Sequence, residues 1–314
     1  MTPTGPAASG GGTLSTVFMG TPEIAVPALQ LLSRLTRVAM VVTQPDRPAG
    51  RGHQLHEPAV KRAARDLGLP LWQPETLRGQ AGAPELQGAD LFVVMAYGEL
   101  LRQEVLDLPR AGCINLHASL LPRWRGASPL QAALRAGDRT TGVTVMRMVR
   151  ALDAGPIHLA RRLELSAGTT LPALHDAIAE LAAQALADLL AAWPGPPPTP
   201  QDEAQATVCR KLTAEDGRLR FDGSPDELER WVRAYTPAPG CWALAGGERL
   251  RVLALAPRRA PAGLLPGALA VHAGELLVGC AGGACAILRL QAPGKRVMEA
   301  AEYLRGHRLP ERLS

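Results

Sequence analysis

The sequence predicts an α/β chain, with a mostly parallel sheet covered by helices on both faces and then a small antiparallel β-barrel. Three observations carry this. Short apolar runs alternate with helix-period segments through the first two thirds of the chain. The run PGPPPTP (194–200) then interrupts regular structure, because proline fixes φ and has no N–H to donate. Beyond it come short apolar segments punctuated by Gly and Pro, the pattern of a small barrel. A length of 314 residues suits two domains at roughly 100–200 residues each.

The elements follow in order. TVFM (16–19) reads as a first strand, and Gly20, Thr21, Pro22 and Glu23 turn the chain into an apolar helix ending near Leu35. VAMVVT (38–43) is a second strand, followed by a long polar loop and a helix near 57–67. DLFVVMA (90–96) is a buried strand with a helix near 99–107 after it, and CINLH (113–117) is a short strand. SPLQAALRAG reads as a helix stopped by Gly137. TGVTVMRM (141–148) is a strand with which PIHLARRLEL (156–165) can pair. Thr170 caps a helix with Pro172 in its first turn, running to about Trp193. This alternation is that of a Rossmann-like domain. After the prolines, SPDELERWVRAY (224–235) is a helix capped by Ser224. CWALA, RLRVLALA, GALAVH, ELLVG and GACAILRL supply the barrel strands. The expected organisation is a flexible tail over 1–13, a first domain over 14–193, a stiff linker over 194–206 and a second domain over 207–314.

Charge divides along the same line. Residues 1–206 hold 18 Lys and Arg against 18 Asp and Glu, whereas residues 207–314 hold 16 against 11. The net charge of +5 therefore sits entirely in the last third. A basic domain beside a neutral one suits a polyanionic partner, and a merely solvated surface is the plain alternative. The five cysteines, Cys113, Cys209, Cys241, Cys280 and Cys285, are odd in number and show no CxxC spacing. That disfavours a disulfide framework or a structural zinc site and predicts buried thiols in a cytoplasmic protein. The opening MTPTGPAASGGGT has neither the basic start nor the apolar core of a signal peptide. Acidic and amide residues interrupt the apolar run 177–193, so no membrane partner is expected.

The chemistry concentrates in CINLHASLLPRWRGASPL (113–130). Strand side chains alternate faces, so Asn115 and His117 point one way and Ile114 and Leu116 the other. In open parallel sheets, ligands bind beyond the carboxyl ends of the strands. An imidazole there can move a proton near neutral pH, and an amide can donate to an oxygen that gains charge. Together they suit acyl transfer to an amine. Asp153, in a turn with Ala154 and Gly155, supplies a carboxylate able to orient the imidazole. Taken singly, His117 reads as a core histidine and Asp153 as a turn residue. No HExxH, GxSxG or CxxC motif occurs, so zinc hydrolysis and serine-nucleophile chemistry lack their residues, and no metal is expected.

Gly20-Thr21-Pro22, TQPDRPAGRG (43–52), MAYGELL (95–101), INLHASLLPRWRGASPLQ (114–131), TGVTVMRM and LDAGPI (152–157) stand in the order and spacing of the folate-dependent formyltransferases. The chain resembles that family, and especially its branch acting on methionyl-tRNA. The likeness continues through RKLTAEDGRLRF (210–221), VRAYTPAPG and QAPGKRVMEAAEYL. It implies transfer of a formyl group from the co-substrate 10-formyltetrahydrofolate to initiator methionyl-tRNA. It implies catalytic roles for Asn115, His117 and Asp153. Folate contacts fall on Ser119, Leu120, Leu121 and Pro122, with Met95, Ala96 and Tyr97 along the pterin pocket. The loop bearing Arg47 and Arg51 would meet the tRNA acceptor end. The second domain would be OB-like and tRNA-binding, and the protein a monomer. Departures stand at MVRALDAG (148–155), where many relatives carry M-D-x-G-L-D, and at TPAPGCW (236–242), where an aromatic is expected between the prolines. Two other readings stay open: hydrolysis of the folate donor or formylation of a sugar amine on the same scaffold, and a catalytically inert RNA-binding protein.

Overall fold

The computed structural model describes residues 13–49, 54–307 and 309–314. The expected tail up to residue 12, and Arg51, lie outside them. The chain divides into two compact units. One is built from residues up to His117 with 143–161 and 179–201, the other from 118–142, 162–178 and 202–314.

Strands and helices of the first two thirds are β1 (Ser15–Gly20), α1 (Val26–Leu35), β2 (Arg37–Val42), β3 (Arg47–Ala49), β4 (Gln54–His56), α2 (Ala59–Asp66), β5 (Leu71–Trp72) and β6 (Leu91–Met95). They continue with α3 (Gln103–Leu106), β7 (Cys113–His117), β8 (Arg125–Gly126), α4 (Pro129–Ala136), β9 (Thr140–Arg147), β10 (Ile157–Glu164) and α5 (Leu171–Ala191). The first unit carries a seven-stranded sheet in the order β10-β9-β7-β6-β1-β2-β5. The pairs β1–β2, β1–β6, β2–β5 and β6–β7 are parallel, and β9 runs antiparallel to β7. The expected mostly parallel sheet is therefore present. Every residue of β1 and β6 is buried, as strands covered on both faces must be.

The order has a switch point. From β1 the chain moves outward through β2 and β5, then crosses back to β6 on the other side of β1. The carboxyl ends of β1 and β6 thus bound a crevice of the kind that binds ligands in open sheets. Gly20 closes β1 there, in register with Met95. A Cβ on residue 20 would stand 3.0 Å from the Met95 carbonyl oxygen and 2.8 Å from the Phe18 ring, so glycine is what this approach admits.

Three local readings change. The polar stretch after β2 contains two short strands paired antiparallel, β3 with β4, and β5 adds a sheet edge. The helix expected over 99–107 shrinks to Gln103–Leu106. Gly98 at φ +95° breaks its start, and the Glu99 carboxylate is engaged by the Leu77 N–H at 3.0 Å. Thr170 does cap α5, accepting from the Ala173 N–H at 3.3 Å. Among the described residues, no helix is long and apolar enough to cross a membrane.

In the second unit, β11 (Val208–Cys209) pairs in parallel with β8. Then come α6 (Pro225–Tyr235), β12 (Cys241–Ala245), β13 (Glu248–Arg258), β14 (Leu269–His272), β15 (Glu275–Cys280), β16 (Gly283–Gln291), β17 (Met298–Glu299) and α7 (Ala300–Gly306). Ser224 and Glu227 form a reciprocal capping box at the start of α6. The sheet order is β12-β13-β16-β15-β14, antiparallel throughout. Its two edges are joined by the last residues of the chain. Leu244 and Ser314 exchange backbone hydrogen bonds at 2.7 and 3.0 Å on the β12 side. On the β14 side the Leu313 N–H donates to Gly267 and the Leu269 N–H to Glu311, at 2.8 and 2.9 Å. The tail thus bridges part of both edges, as isolated pairings at Ala245 with Leu313 and Ala268 with Arg312, and draws the sheet toward a barrel. All five cysteines are buried free thiols. Burial pushes Cys113 and Cys241 up to about 12, which keeps them protonated and unreactive.

Leu313 is 1% exposed. Leu313→Ala should cost about 2–5 kcal/mol, the range for truncating a buried leucine, in the transition that reports the barrel during urea unfolding. A loss below roughly 0.5 kcal/mol, the level of an ordinary surface change, would mean that the tail does not hold the barrel shut.

Candidate active site

β7 presents Asn115 and His117 on one face, between β6 and β9. Val94 of β6 stands opposite Asn115, while Met146 and Thr144 of β9 stand opposite Asn115 and His117. Ile114 and Leu116 point to the other face and are buried at 1% and 2% exposure. His117 is buried and Asn115 half-buried. The Asn115 amide makes no hydrogen bond among the described residues, so a donor stands ready for an incoming acceptor.

Asp153 arrives from the turn between β9 and β10. One carboxylate oxygen lies 3.6 Å from His117 Nδ1, with the two side chains 12% and 7% exposed. That is ion-pair range, longer than a formed hydrogen bond, and unliganded sites often tighten only around substrate. Reaching this position strains the turn. Asp153 sits at φ +48°, a left-handed conformation that aspartate tolerates better than most residues. Two residues on, the backbone presses against the end of β9: a Cβ on Gly155 would stand 1.8 Å from the Arg147 carbonyl oxygen. Asp153 therefore meets His117 although MVRALDAG departs from the pattern of the relatives.

Met95, Ala96 and Tyr97 leave β6 at the switch point. Met95 and Tyr97 are buried at 1% and 2% exposure, while Ala96 is exposed at φ +50°. The Thr21 hydroxyl donates to the Tyr97 carbonyl at 2.8 Å, which ties this bend to the turn after β1. Burial pushes the Tyr97 phenol up, so it stays neutral. Ser119, Leu120, Leu121 and Pro122 follow Ala118, the first residue of the second unit, which succeeds His117 in the chain. The Ser119 hydroxyl donates to the Arg123 carbonyl at 2.6 Å, and the Pro122 carbonyl accepts from the Thr207 N–H at 3.2 Å. The segment is thus a braced turn.

Arg47 is exposed in β3 and donates to the Gln44 side chain at 3.3 Å. The base of its loop is anchored at Asp46, which takes Lys61 Nζ at 2.6 Å and Gln73 Nε2 at 2.9 Å. Two site features escaped the sequence reading. Gly155 looked like an ordinary turn glycine. Gln201, in the stretch read as linker, donates to the carbonyls of Asp153 and Gly155. Neither contact has a local signature, since each forms only once the chain folds back on itself. Among the described residues, no His, Cys, Asp or Glu cluster could hold a metal ion.

Residues 18–190 match the formyl transferase family, and residues 211–308 match the formyl transferase C-terminal domain. A methionyl-tRNA formyltransferase from Thiobacillus denitrificans is 43% identical over 93% of this chain and 96% of its own. One from Paracoccus denitrificans is 41% identical over 95% and 99%. Among solved structures, the sugar 3N-formyl transferase WlaRD, determined with dTDP and 5-N-formyl-THF, is 14% identical with a TM-score of 0.66, covering 91% of this chain and all of its own. HypX from Aquifex aeolicus, in complex with tetrahydrofolic acid, is 17% identical with a TM-score of 0.61. This chain matches 93% of itself to HypX but spans only 47% of that longer protein. These structures establish the shared fold.

Gly155→Ala should displace the 148–156 turn, since the added carbon has no room at the Arg147 carbonyl. The expected cost is about 1–3 kcal/mol, as for other overpacked sites, with faster amide exchange across the turn. A variant with wild-type stability and exchange would show that the turn relaxes freely and is not held by this contact.

Proposed function

The chain belongs to the formyl transferase family, and we propose that it moves the formyl group of 10-formyltetrahydrofolate onto the α-amino group of initiator methionyl-tRNA. The observation that carries this is the identity of 43% with a methionyl-tRNA formyltransferase across 93% of the chain, which runs through both domains. In this reading residues 14–193 carry the chemistry, 194–206 link, and 207–314 hold the RNA. The protein acts as a cytoplasmic monomer, and its buried free thiols fit a reducing compartment.

The chemistry follows from the groups around His117. The neutral amine attacks the formyl carbon, forming the new C–N bond and a tetrahedral oxyanion. The Asn115 amide donates to that oxygen as its charge develops. The amine proton passes through His117 Nε2, on the far side of the ring from Asp153, to N10 of the folate, whose bond to carbon then breaks. Asp153, 3.6 Å from Nδ1, orients the ring and stabilises it while it carries the proton. No covalent enzyme intermediate is required. Met95, Ala96 and Tyr97 form the pterin contact at the switch point, and Ser119, Leu120, Leu121 and Pro122 contact the folate beyond His117. Arg47 and Arg51 receive the acceptor end of the tRNA. The direct test is incubation with methionyl-tRNA and 10-formyltetrahydrofolate. Formyl-methionine on the tRNA supports this function; free formate alone would assign the chain to donor hydrolysis.

His117→Ala should keep the fold and lower turnover roughly 10²–10⁴-fold, as for a lost general acid/base. Asn115→Ala should lower it roughly 10²–10³-fold, as for one oxyanion donor. Near-normal turnover in either folded variant removes that residue from the mechanism.

The basic excess of the last third gives a second test. Arg220, Arg259 and Lys295 are exposed and have no carboxylate partner among the described residues. Replacing all three by Gln should weaken tRNA binding and flatten the plot of log affinity against log salt. The slope should fall by about 0.7–0.9 for every phosphate that these cations neutralise. An unchanged slope would show that the tRNA does not lie on these charges.

A further inference from the structure

We propose that Gln201 is a positioning residue for the reaction: its amide clamps the Asp153 turn in the one conformation that brings the carboxylate to His117. This rests on the catalytic reading of Asp153 given above. The clamp is built from a single Nε2, which donates to the Asp153 carbonyl at 2.8 Å and to the Gly155 carbonyl at 2.7 Å. The two acceptors flank Ala154, so the bonds fix the backbone on both sides of the turn. An –NH₂ group has two hydrogens to give, and both are used.

The turn needs such a clamp. Asp153 is left-handed at φ +48°, a conformation that a non-glycine residue keeps only where its surroundings hold it there. Asp153 is half-buried and Gly155 buried, so carbonyls that lose their partner there add a desolvation cost. The clamp is itself held. The segment before it runs beside β10, with Ile157 and Thr199 exchanging backbone hydrogen bonds at 2.7 and 2.8 Å. Gln201 then follows Pro198 and Pro200, whose fixed φ limits how far the chain can wander. The Gln201 nitrogen also lies 4.0 Å from Met146 Sδ, and Met146 stands opposite Asn115 in the sheet. The stretch that reads as a plain linker is therefore part of the active-site wall, and it carries an amide where the turn needs a donor.

Gln201→Leu removes the donors with little change of volume. Gln201→Glu keeps the shape and turns donors into acceptors facing two carbonyls. Both should lower kcat about 10–100-fold, the scale of misplacing a reacting group by about 1 Å. KM for the folate and for the charged tRNA should stay within about twofold. The readout specific to positioning is the double variant. In an Asp153→Ala background, Gln201→Leu should add no further loss, because residues acting through one another are not additive. Amide exchange across 151–155 should quicken in both single variants. Gln201→Leu with wild-type kcat, or with a full additional loss on top of Asp153→Ala, overturns the proposal. If Gln201→Leu fails to fold, the same criteria apply to Gln201→Glu. Should Asp153→Ala itself keep wild-type kcat, the catalytic reading of Asp153 fails, while the exchange measurement still decides whether Gln201 holds the turn.

Discussion

The antiparallel run of β9 against β7 sets the terms for the active site. Because β9 runs the other way, it ends beside Ile114 and not beside His117. Those positions are three residue steps apart along β7, about 10 Å. The turn after β9 must therefore come back along β7 for Asp153 to reach the imidazole. Returning over so short a distance forces the backbone close to the strand it has just left. The left-handed φ of Asp153 and the contact of Gly155 on the Arg147 carbonyl are the two consequences. A carboxylate next to His117 thus comes with local strain, and the surroundings must hold it in place.

The parallel half of the sheet works by a different constraint. Reversal of strand order between β1 and β6 leaves a crevice at their carboxyl ends. Gly20 lets the two strands approach, and Thr21 fastens the bend at Tyr97. Ala96 is thereby exposed between two buried neighbours. The bend lies at the crevice where the proposed function puts the pterin.

The second unit faces the problem common to small antiparallel sheets, that open edges invite pairing. The chain terminus covers part of those edges, bonding to β12 on one side and to the segment around β14 on the other. Many of its arginines are matched by nearby acids, such as Arg258 with Glu275 at 2.7 Å. The net positive charge therefore resides on the unmatched residues, and their positions on the surface matter more than the total.

Periodicity made much of this legible. The alternation of strands and helices, the shared face of Asn115 and His117, and the caps at Thr170 and Ser224 are all properties of neighbouring residues. Local sequence determines them because backbone geometry repeats every two residues in a strand and every 3.6 in a helix. The resemblance to one family added the partners and singled out Asp153, otherwise one turn carboxylate among others, as the imidazole's partner. Tertiary structure alone decided the rest. Gln201 is 48 residues from Asp153 and the closing tail is far from β12 in the chain. The crowding that demands glycine at 155 comes from a carbonyl eight residues earlier. No local pattern encodes such contacts, because they depend on where the backbone returns after the sheet has formed.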